Sequence, residues 1–375
     1  MEKEEKQVNY PLLPYSQVVY EGLKHFSKDY THTWQLRWQK GTVDVEHLHV
    51  ALEKALRAHP VFEMRIDETG KQYREPSINL FVGPYQQLSI EDSDESVTLT
   101  AIFNRILGDA MSWIILGEDI LRAYAGDDLQ EDGYWEWLNT LGQYKETERY
   151  TNHRQILEQK FGIVDYPLAP QIDLKGGDGT DKTVDCDLED MGIDIQAFTA
   201  KHHLSLNGLI VLATGLAIMD MEGTNKAGLT WAYNGRETIQ EQRMFGSLHR
   251  DVPICLERAE LTELIHQTRN KLREGIRLSD YPYTLTSPSD SPWHKAVNVL
   301  VEPSPQVLID QSDNWFELSE IPEIDHVHLD VEVYEHPLRM RLCYNPACYS
   351  EQRIQLFAKQ IKKNLLKILG EDEYA

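Results

Sequence analysis

The chain has little cysteine and little basic charge, and both shortages exclude classes of function. Its four cysteines show no paired metal-binding spacing and no secreted disulfide framework, so reduced thiols in a cytoplasm are expected (Cys186, Cys255, Cys343 and Cys348). Lys and Arg number 37 against 61 Asp and Glu, which leaves a formal net charge of −24. Because such a field repels phosphate backbones and anionic lipid, nucleic acid and membrane are not expected partners.

Long hydrophobic runs are also absent. The longest, Gly208 to Met219, has twelve residues and is too short to span a bilayer, so it predicts a buried helix. Residues 1–9 lack an apolar core, and no signal peptide is expected. One basic cluster on the last predicted helix is interpreted as a solvated helix face (Lys359, Lys362, Lys363 and Lys367). These features together predict a cytoplasmic protein.

Common catalytic signatures are missing as well. The sequence has neither a glycine-rich phosphate loop nor a serine nucleophile elbow. His326 and His328 alternate on a predicted strand and would place two ligands on one face. No third ligand accompanies them with metal-site spacing, so surface or packed histidines are the favoured interpretation. No metal and no bound cofactor are therefore expected.

What the chain does have is a sharply patterned stretch from Val97 to Leu116. Its first part alternates apolar and polar residues up to Phe103 and predicts a mostly buried strand. Helical spacing begins at Ser112, which predicts a helix with Ser112 as its N-cap. Residues 104–109 then form a polar turn between two buried elements. Polar side chains held there are either a structural lock or a functional site.

The rest of the sequence predicts two lobes that mix helices and strands. Asp44 to His59 predicts an amphipathic helix with Asp44 as N-cap, and residues 350–369 predict a closing amphipathic helix. Residues 175–182 contain three glycines and no apolar residue, which predicts a linker. The predicted division is therefore an N-terminal lobe at 1–174, the linker at 175–182 and a C-terminal lobe at 183–375.

In this order, the segments resemble the condensation domains of nonribosomal peptide synthetases, members of the chloramphenicol-acetyltransferase-like acyltransferase superfamily. Several family motifs have degenerate counterparts along the chain (Leu13 to Tyr20, Asp44 to Ile66, Asn234-Gly235-Arg236 with Phe245-Gly246, Asp280 to Tyr283, and Arg341 to Tyr349). Glu63 stands where the family has Arg, and Arg250-Asp251 stands where it has Asn-Thr. The resemblance implies an α/β (α+β) fold of two lobes, each a mixed sheet with flanking helices, arranged as a V with a central tunnel.

The central family motif is His-His-x-x-x-Asp-Gly, between a strand and a helix. Its context here belongs to Asn104 through Ala110, in which Asp109 survives and both histidines and the final glycine do not. By the resemblance, Asp109 is structural and pairs with Arg236, and Arg105 occupies the position of the catalytic second His. Asn104, Arg105 and Asp109 are the candidate catalytic positions, and Ser112 and Gly108 are candidate substrate contacts.

The replacement of His by Arg105 changes the chemistry that this position offers. A guanidinium has a pKa above about 12 and no acceptor lone pair, so it cannot take a proton from an attacking amine. It can still bind an anion, polarise a carbonyl or fill space. In this respect the sequence is most similar to X-type domains of glycopeptide synthetases, which carry Arg at the same place and recruit partner enzymes.

A literal His-His-x-x-x-Asn-Gly occurs elsewhere, from His202 to Gly208. It follows a predicted helix, and Ser205 is positioned to cap the next one. Because no strand precedes it, the connector between two helices is the favoured interpretation over an active site.

Two functions follow from the resemblance. The first is a non-condensing or atypical domain that binds carrier proteins or recruits tailoring enzymes or neighbouring synthetase domains. The alternative is an active acyltransferase that forms an amide or ester from a phosphopantetheine-thioester donor by positioning, without a His base. In both, the phosphopantetheine arm of a carrier protein would bring the substrate.

Overall fold

The computed structural model describes residues 8–26, 31–76, 79–177, 181–188, 195–278, 291–301, 315–318, 329–335 and 338–370. The chain divides into two compact units. The first comprises Met1–Glu148, Asn234–His249 and Pro305–Pro322; the second comprises Arg149–Tyr233, Arg250–Ser304 and Glu323–Ala375. Each unit combines β-sheet with helices, and this confirms the predicted mixed α/β class.

The first unit contains two antiparallel sheets. Its helices and strands are β1 (Tyr10–Pro11), α1 (Pro14–Phe26), β2 (Thr31–Gln39), α2 (Val45–Ala58), β3 (Met64–Ile66), β4 (Lys71–Arg74), β5 (Gln86–Asp92), β6 (Ser96–Asn104), α3 (Ala110–Tyr124) and α4 (Tyr134–Tyr144), with α8 (Ile239–Gln242) and β11 (Trp315–Leu318) from later in the chain. The larger sheet has the order β11-β2-β6-β5, and the smaller has the order β1-β4-β3.

Strand β6 lies in the middle of the larger sheet and leads directly to the polar turn. It pairs antiparallel with β2 on one side and β5 on the other, with Leu99 opposite both Leu36 and Ile90. Val97, Leu99, Ala101 and Phe103 are buried, as their alternation predicted. Because β6 is hydrogen bonded to a strand on each side, the position of Asn104 at its C-terminal end is fixed by the sheet.

The second unit contains a six-stranded mixed sheet. It is built from α5 (Glu148–Phe161), β7 (Lys182–Asp187), α6 (Ile195–His202), α7 (Leu206–Glu222), β8 (Lys226–Tyr233), β9 (Arg250–Glu257), α9 (Leu261–Arg277), β10 (Asn298–Val301), β12 (Leu329–Glu335), β13 (Leu338–Tyr344) and α10 (Glu351–Gly370). The strand order is β7-β13-β12-β10-β8-β9, and β10 runs parallel to both of its neighbours. Strand β9 is therefore an edge strand of this sheet.

Helix α7 confirms the helix predicted from the longest apolar run. Its residues from Gly208 to Met219 are buried, and the helix packs against α10 and α9. Ser205 caps its N-terminus and Gly223, in the left-handed conformation, ends it. Among the described residues no single helix is long and apolar enough to cross a membrane; α6 and α7 together meet such a criterion, but the chain bends by 94° between them.

The predicted linker lies in the chain range of the second unit, which begins at Arg149. Its described part is hydrogen bonded to the turn after β13. Gly176 N donates to Ala347 O, and Asn345 Nδ2 donates to Gly177 O. The division of the chain into lobes at 175–182 stays a prediction. The predicted motif at 280–283 and the His326/His328 pair lie outside the described residues.

Candidate functional site

The turn after β6 begins with Asn104, whose backbone groups and side-chain oxygen form local hydrogen bonds. Its backbone N–H donates to Tyr85 O, and its side-chain Oδ1 accepts from Ile106 N at 3.0 Å. Leu107 N in turn donates to Asn104 O. A short amide side chain that bonds its own backbone two residues on is a common way to form a turn. Asn104 is 6% exposed, so in this arrangement it shapes the turn.

Helix α3 begins one turn earlier than the sequence predicted, because Asp109 and not Ser112 is its N-cap. Asp109 Oδ1 accepts from Ser112 N at 3.0 Å, and Asp109 N donates back to Ser112 Oγ at 3.2 Å. This is a capping box with Ser in place of the usual Glu or Gln at its third position. The predicted cap was wrong because Asp109 and Ser112 are both favoured N-cap residues, and the spacing of the apolar residues did not distinguish between them.

Asp109 and Arg236 form the pair that the resemblance implied. Arg236 Nη1 donates to Asp109 Oδ2 at 3.0 Å, and Nη2 donates to Oδ1 at 2.9 Å, a two-pronged geometry. The side chain of Asp109 is 7% exposed and that of Arg236 is 2% exposed. Burial by itself would raise the pKa of the Asp109 carboxyl, but the charge and hydrogen bonds of Arg236, with His249 and Ser112, hold this pKa below its usual value.

The same carboxylate also holds the segment that carries Arg236. Leu248 N and His249 N donate to Asp109 Oδ2 at 2.9 and 3.1 Å. Arg236 donates to the carbonyl oxygens of three residues in its own segment (Asn234, Met244 and Gly246). Asp109 therefore accepts hydrogen bonds from the start of α3 and from both ends of residues 234–249. It fixes residues 234–249 to the turn. We call Asp109, Arg236 and the hydrogen bonds they make with this segment the lock.

Gly108 and Ser112 are packed inside this lock. Three donors lie within hydrogen-bond distance of the Ser112 hydroxyl oxygen and share its two lone pairs: the backbone N–H groups of Asp109 and Gly246, and Arg236 Nη2. The hydroxyl hydrogen can be donated to Asp109 Oδ1 or Gly246 O, and the side chain is fully buried. A Cβ on Gly108 would lie 2.7 Å from Phe245 Cε1 and 2.9 Å from Ser112 Oγ. Gly108 therefore allows close packing, and Ser112 provides hydrogen bonds inside the lock.

Arg105 contacts Tyr15 of helix α1, and Tyr15 in turn contacts His249. Arg105 Nη1 donates to the Tyr15 hydroxyl at 2.8 Å, and the Tyr15 ring meets the His249 ring edge-on with centroids 4.3 Å apart. Ser16, next to Tyr15, donates to Ile106 O at 2.9 Å. Arg105, Tyr15 and His249 are half-buried and form a polar cluster beside the lock, which we call the Arg105 cluster.

A buried charged cluster near the lock was not predicted from the sequence. His59 Nδ1 lies 2.9 Å from Asp132 Oδ2, and Nε2 lies 3.2 Å from Asp119 Oδ2. Burial opposes the charge on His59, but the two carboxylates outweigh it and raise the pKa above its ordinary value of 6.5. Asp132 Oδ2 also accepts from Phe245 N, which ties the end of α2 to residues 234–249.

The literal histidine motif at 202–208 has the structural context that the sequence predicted. It runs from the end of α6 into α7, so the element that directly precedes it is a helix. Gly208 N donates to Ser205 Oγ at 3.1 Å, and Asn207 Oδ1 accepts from Trp231 Nε1 at 2.9 Å. The His202 ring packs on Phe198. Each of these residues has a local structural partner, as a helix connector requires.

Comparison with known proteins places this arrangement in a family. A family model of the condensation domain matches residues 19–373. Tyrocidine synthase 2 of Brevibacillus parabrevis is 25% identical over 355 residues, which cover 84% of this chain and 10% of that protein. The chain spans about 5–10% of the length of the first curated relatives it matches.

Solved structures show the same fold at low sequence identity. The condensation domain from Monacolin K polyketide synthase MokA has a TM-score of 0.77 and 12% identity, with 97% of this chain and 98% of that chain covered. The epimerization domain from the third module of tyrocidine synthetase B has a TM-score of 0.74 and 18% identity, with 97% and 98% covered. With the family model matching nearly its whole length, this chain belongs to the condensation domain family, as its motifs predicted.

Proposed function

We propose that this protein is a condensation-family domain of nonribosomal peptide biosynthesis that binds its partners without forming a peptide bond. The observation that carries the proposal is Arg105. It follows strand β6 at the position that the resemblance assigns to the family's second His, and the pairing of Asp109 with Arg236 supports this assignment. In this proposal the scaffold is retained and the proton acceptor is replaced.

The chemistry of Arg105 supports the loss of base catalysis. Its guanidinium donates to the Tyr15 hydroxyl and has no lone pair with which to accept a proton from an amine. A positioned general base contributes typically about 10²–10⁴ in rate. A bond-forming domain without one would depend on holding the two reactants together. Arg105 is suited instead to bind an anionic or carbonyl oxygen.

The partners we propose are carrier proteins bearing phosphopantetheine arms, with tailoring enzymes or neighbouring synthetase domains as further docking partners. The proposal is tested with phosphopantetheinylated peptidyl carrier proteins. We expect these carriers to bind, measured by fluorescence anisotropy, while donor and acceptor carriers loaded with aminoacyl groups give no condensed product by mass spectrometry. Multiple-turnover product formation by the unaltered protein would overturn it.

The variant Arg105→His tests whether the missing base alone accounts for the lack of condensation, or whether other changes in the turn also prevent it. We expect it not to restore condensation, because Asn104 also replaces the first His and has its side chain committed to the turn. Arg105→Ala is the matched control, since it removes the guanidinium without adding an imidazole. Carrier binding should survive both substitutions.

A second candidate is an active acyltransferase that forms an amide or ester from a carrier-bound thioester. The observation that favours it is His249, whose imidazole lies in the Arg105 cluster against Tyr15. An imidazole can accept a proton near neutral pH, and proximity of bound reactants lowers the barrier further. If product forms in the carrier assay and His249 is the proton acceptor, His249→Ala should abolish product formation. Product that persists in His249→Ala would favour catalysis by positioning alone.

A further inference from the structure

The second unit contains a cavity of about 430 Å³ that the proposed function does not use. It lies beside the edge strand β9, with walls from the end of α5 and from α9. Apolar side chains form much of its wall (Leu157, Phe161, Val252, Ile254 and Leu278). Its volume is within the range of small-molecule sites, which are mostly apolar with a few placed polar groups.

The polar groups of this cavity include two lysines without a carboxylate partner. Lys226 and Lys271 line it, and among the described residues neither forms an ion pair or hydrogen bond through its ammonium. The Lys226 Nζ lies over the Tyr166 ring, 4.4 Å from its centroid. A third lysine, Lys160, is neutralised by Glu274. Unpaired cations at an apolar cavity are unusual in a chain with a net charge of −24.

The Tyr166 hydroxyl is buried against the Cys255 thiol and is not exposed to the cavity. Burial, with the Cys255 neighbour, raises the pKa of Tyr166 well above its ordinary value, so the hydroxyl keeps its proton at neutral pH. Tyr166 therefore contributes its ring to the cavity wall, and the groups available to bind an anion are the Lys226 and Lys271 ammonium groups.

We propose that this cavity binds a small amphipathic carboxylate. The carboxylate would accept hydrogen bonds from the Lys226 and Lys271 ammonium groups, and the apolar body would lie against Phe161, Ile254 and Leu278. Glu257 and Glu274 also line the cavity and disfavour a more highly charged head group such as phosphate. The inference does not depend on whether the domain forms peptide bonds.

Cys255 provides a direct reporter, because its thiol lines the cavity and is half-buried. We would titrate the full chain with octanoate and measure the rate of Cys255 alkylation by iodoacetamide, resolved from other thiols by peptide mass spectrometry. Octanoate should slow alkylation of Cys255 and leave Cys186, a half-buried thiol that does not line the cavity, unaffected. Octan-1-ol and inorganic phosphate at equal concentrations should protect much less.

Two substitutions assign the protection to the proposed contacts. Lys226→Gln and Lys271→Gln should each raise the octanoate concentration for half protection by about tenfold or more, the equivalent of one charge-assisted hydrogen bond. Lys359→Gln, at an exposed lysine of α10, is the matched control and should leave it unchanged. No protection by octanoate, equal protection by octan-1-ol, or unaltered half-protection in both cavity variants would each overturn the proposal.

Discussion

Removing the carboxylate of Asp109 should destabilise the first unit more than any surface charge change. In Asp109→Ala the guanidinium of Arg236, whose side chain is 2% exposed, stays buried without its counter-ion. Breaking a buried ion pair from one side typically destabilises by about 3–5 kcal/mol, and the lost N-cap is included in that range. For units of 150–250 residues each kcal/mol lowers Tm by about 2–4 °C, so the expected loss is about 6–20 °C.

Urea unfolding and thermal melting at pH 7 measure this loss. The folded-state pKa of Asp109 is lowered, so its contribution is complete above the unfolded-state pKa and disappears as pH falls through the folded one. Arg236→Ala should also destabilise, and the double variant should be much less unstable than the sum of the singles. Arg57→Ala, at an exposed pair with Glu53, is the control and should change stability by about 0.3–0.5 kcal/mol. Melting of both buried-site variants like the unaltered protein, or strict additivity, would refute the lock.

Three further predictions follow from the packing around the lock. Gly108→Ala should lower stability by about 1–3 kcal/mol in urea unfolding, because the new methyl overlaps Phe245; an unchanged midpoint would mean that the turn relaxes freely. Ser112→Ala should lower the free energy of unfolding by about 1–3 kcal/mol, because the buried Arg236 Nη2 and Gly246 N lose an acceptor. Unchanged stability would contradict this role of the hydroxyl. The charge on His59 stabilises fully below its unfolded-state pKa near 6.5 and less as pH rises through the raised folded-state pKa. His59→Gln should therefore flatten the fall in stability from pH 6 to 9, measured by urea unfolding at each pH.

Much of the fold could be predicted because its signals are local. Strand β6 alternates apolar residues, and both α2 and α7 have their predicted caps at Asp44 and Ser205. The family motifs then supplied what no local pattern contains, the pairing of Asp109 with Arg236 across 127 residues of chain. Periodicity is a property of neighbours in sequence, and it cannot identify a partner that far away.

What the sequence did not indicate depends on such distant contacts. Tyr15 is an ordinary aromatic residue in sequence, and only the folded chain places it against Arg105 and His249. Asp119 and Asp132 gave no signal as partners of His59, because neither stands at a recognisable spacing from it. The start of α3 was missed for a different reason: Ser112 is itself a favoured N-cap residue, but in the structure it is the N3 residue of the capping box that Asp109 forms.

We propose that this domain keeps the condensation scaffold and has lost bond-forming catalysis at Arg105. The most direct test of this claim is the incubation of the unaltered protein with loaded donor and acceptor carriers, with product followed by mass spectrometry and carrier binding by anisotropy in the same samples. We expect carrier binding without condensed product, and the same result for Arg105→Ala. Condensed product over many turnovers from the unaltered protein would contradict the claim.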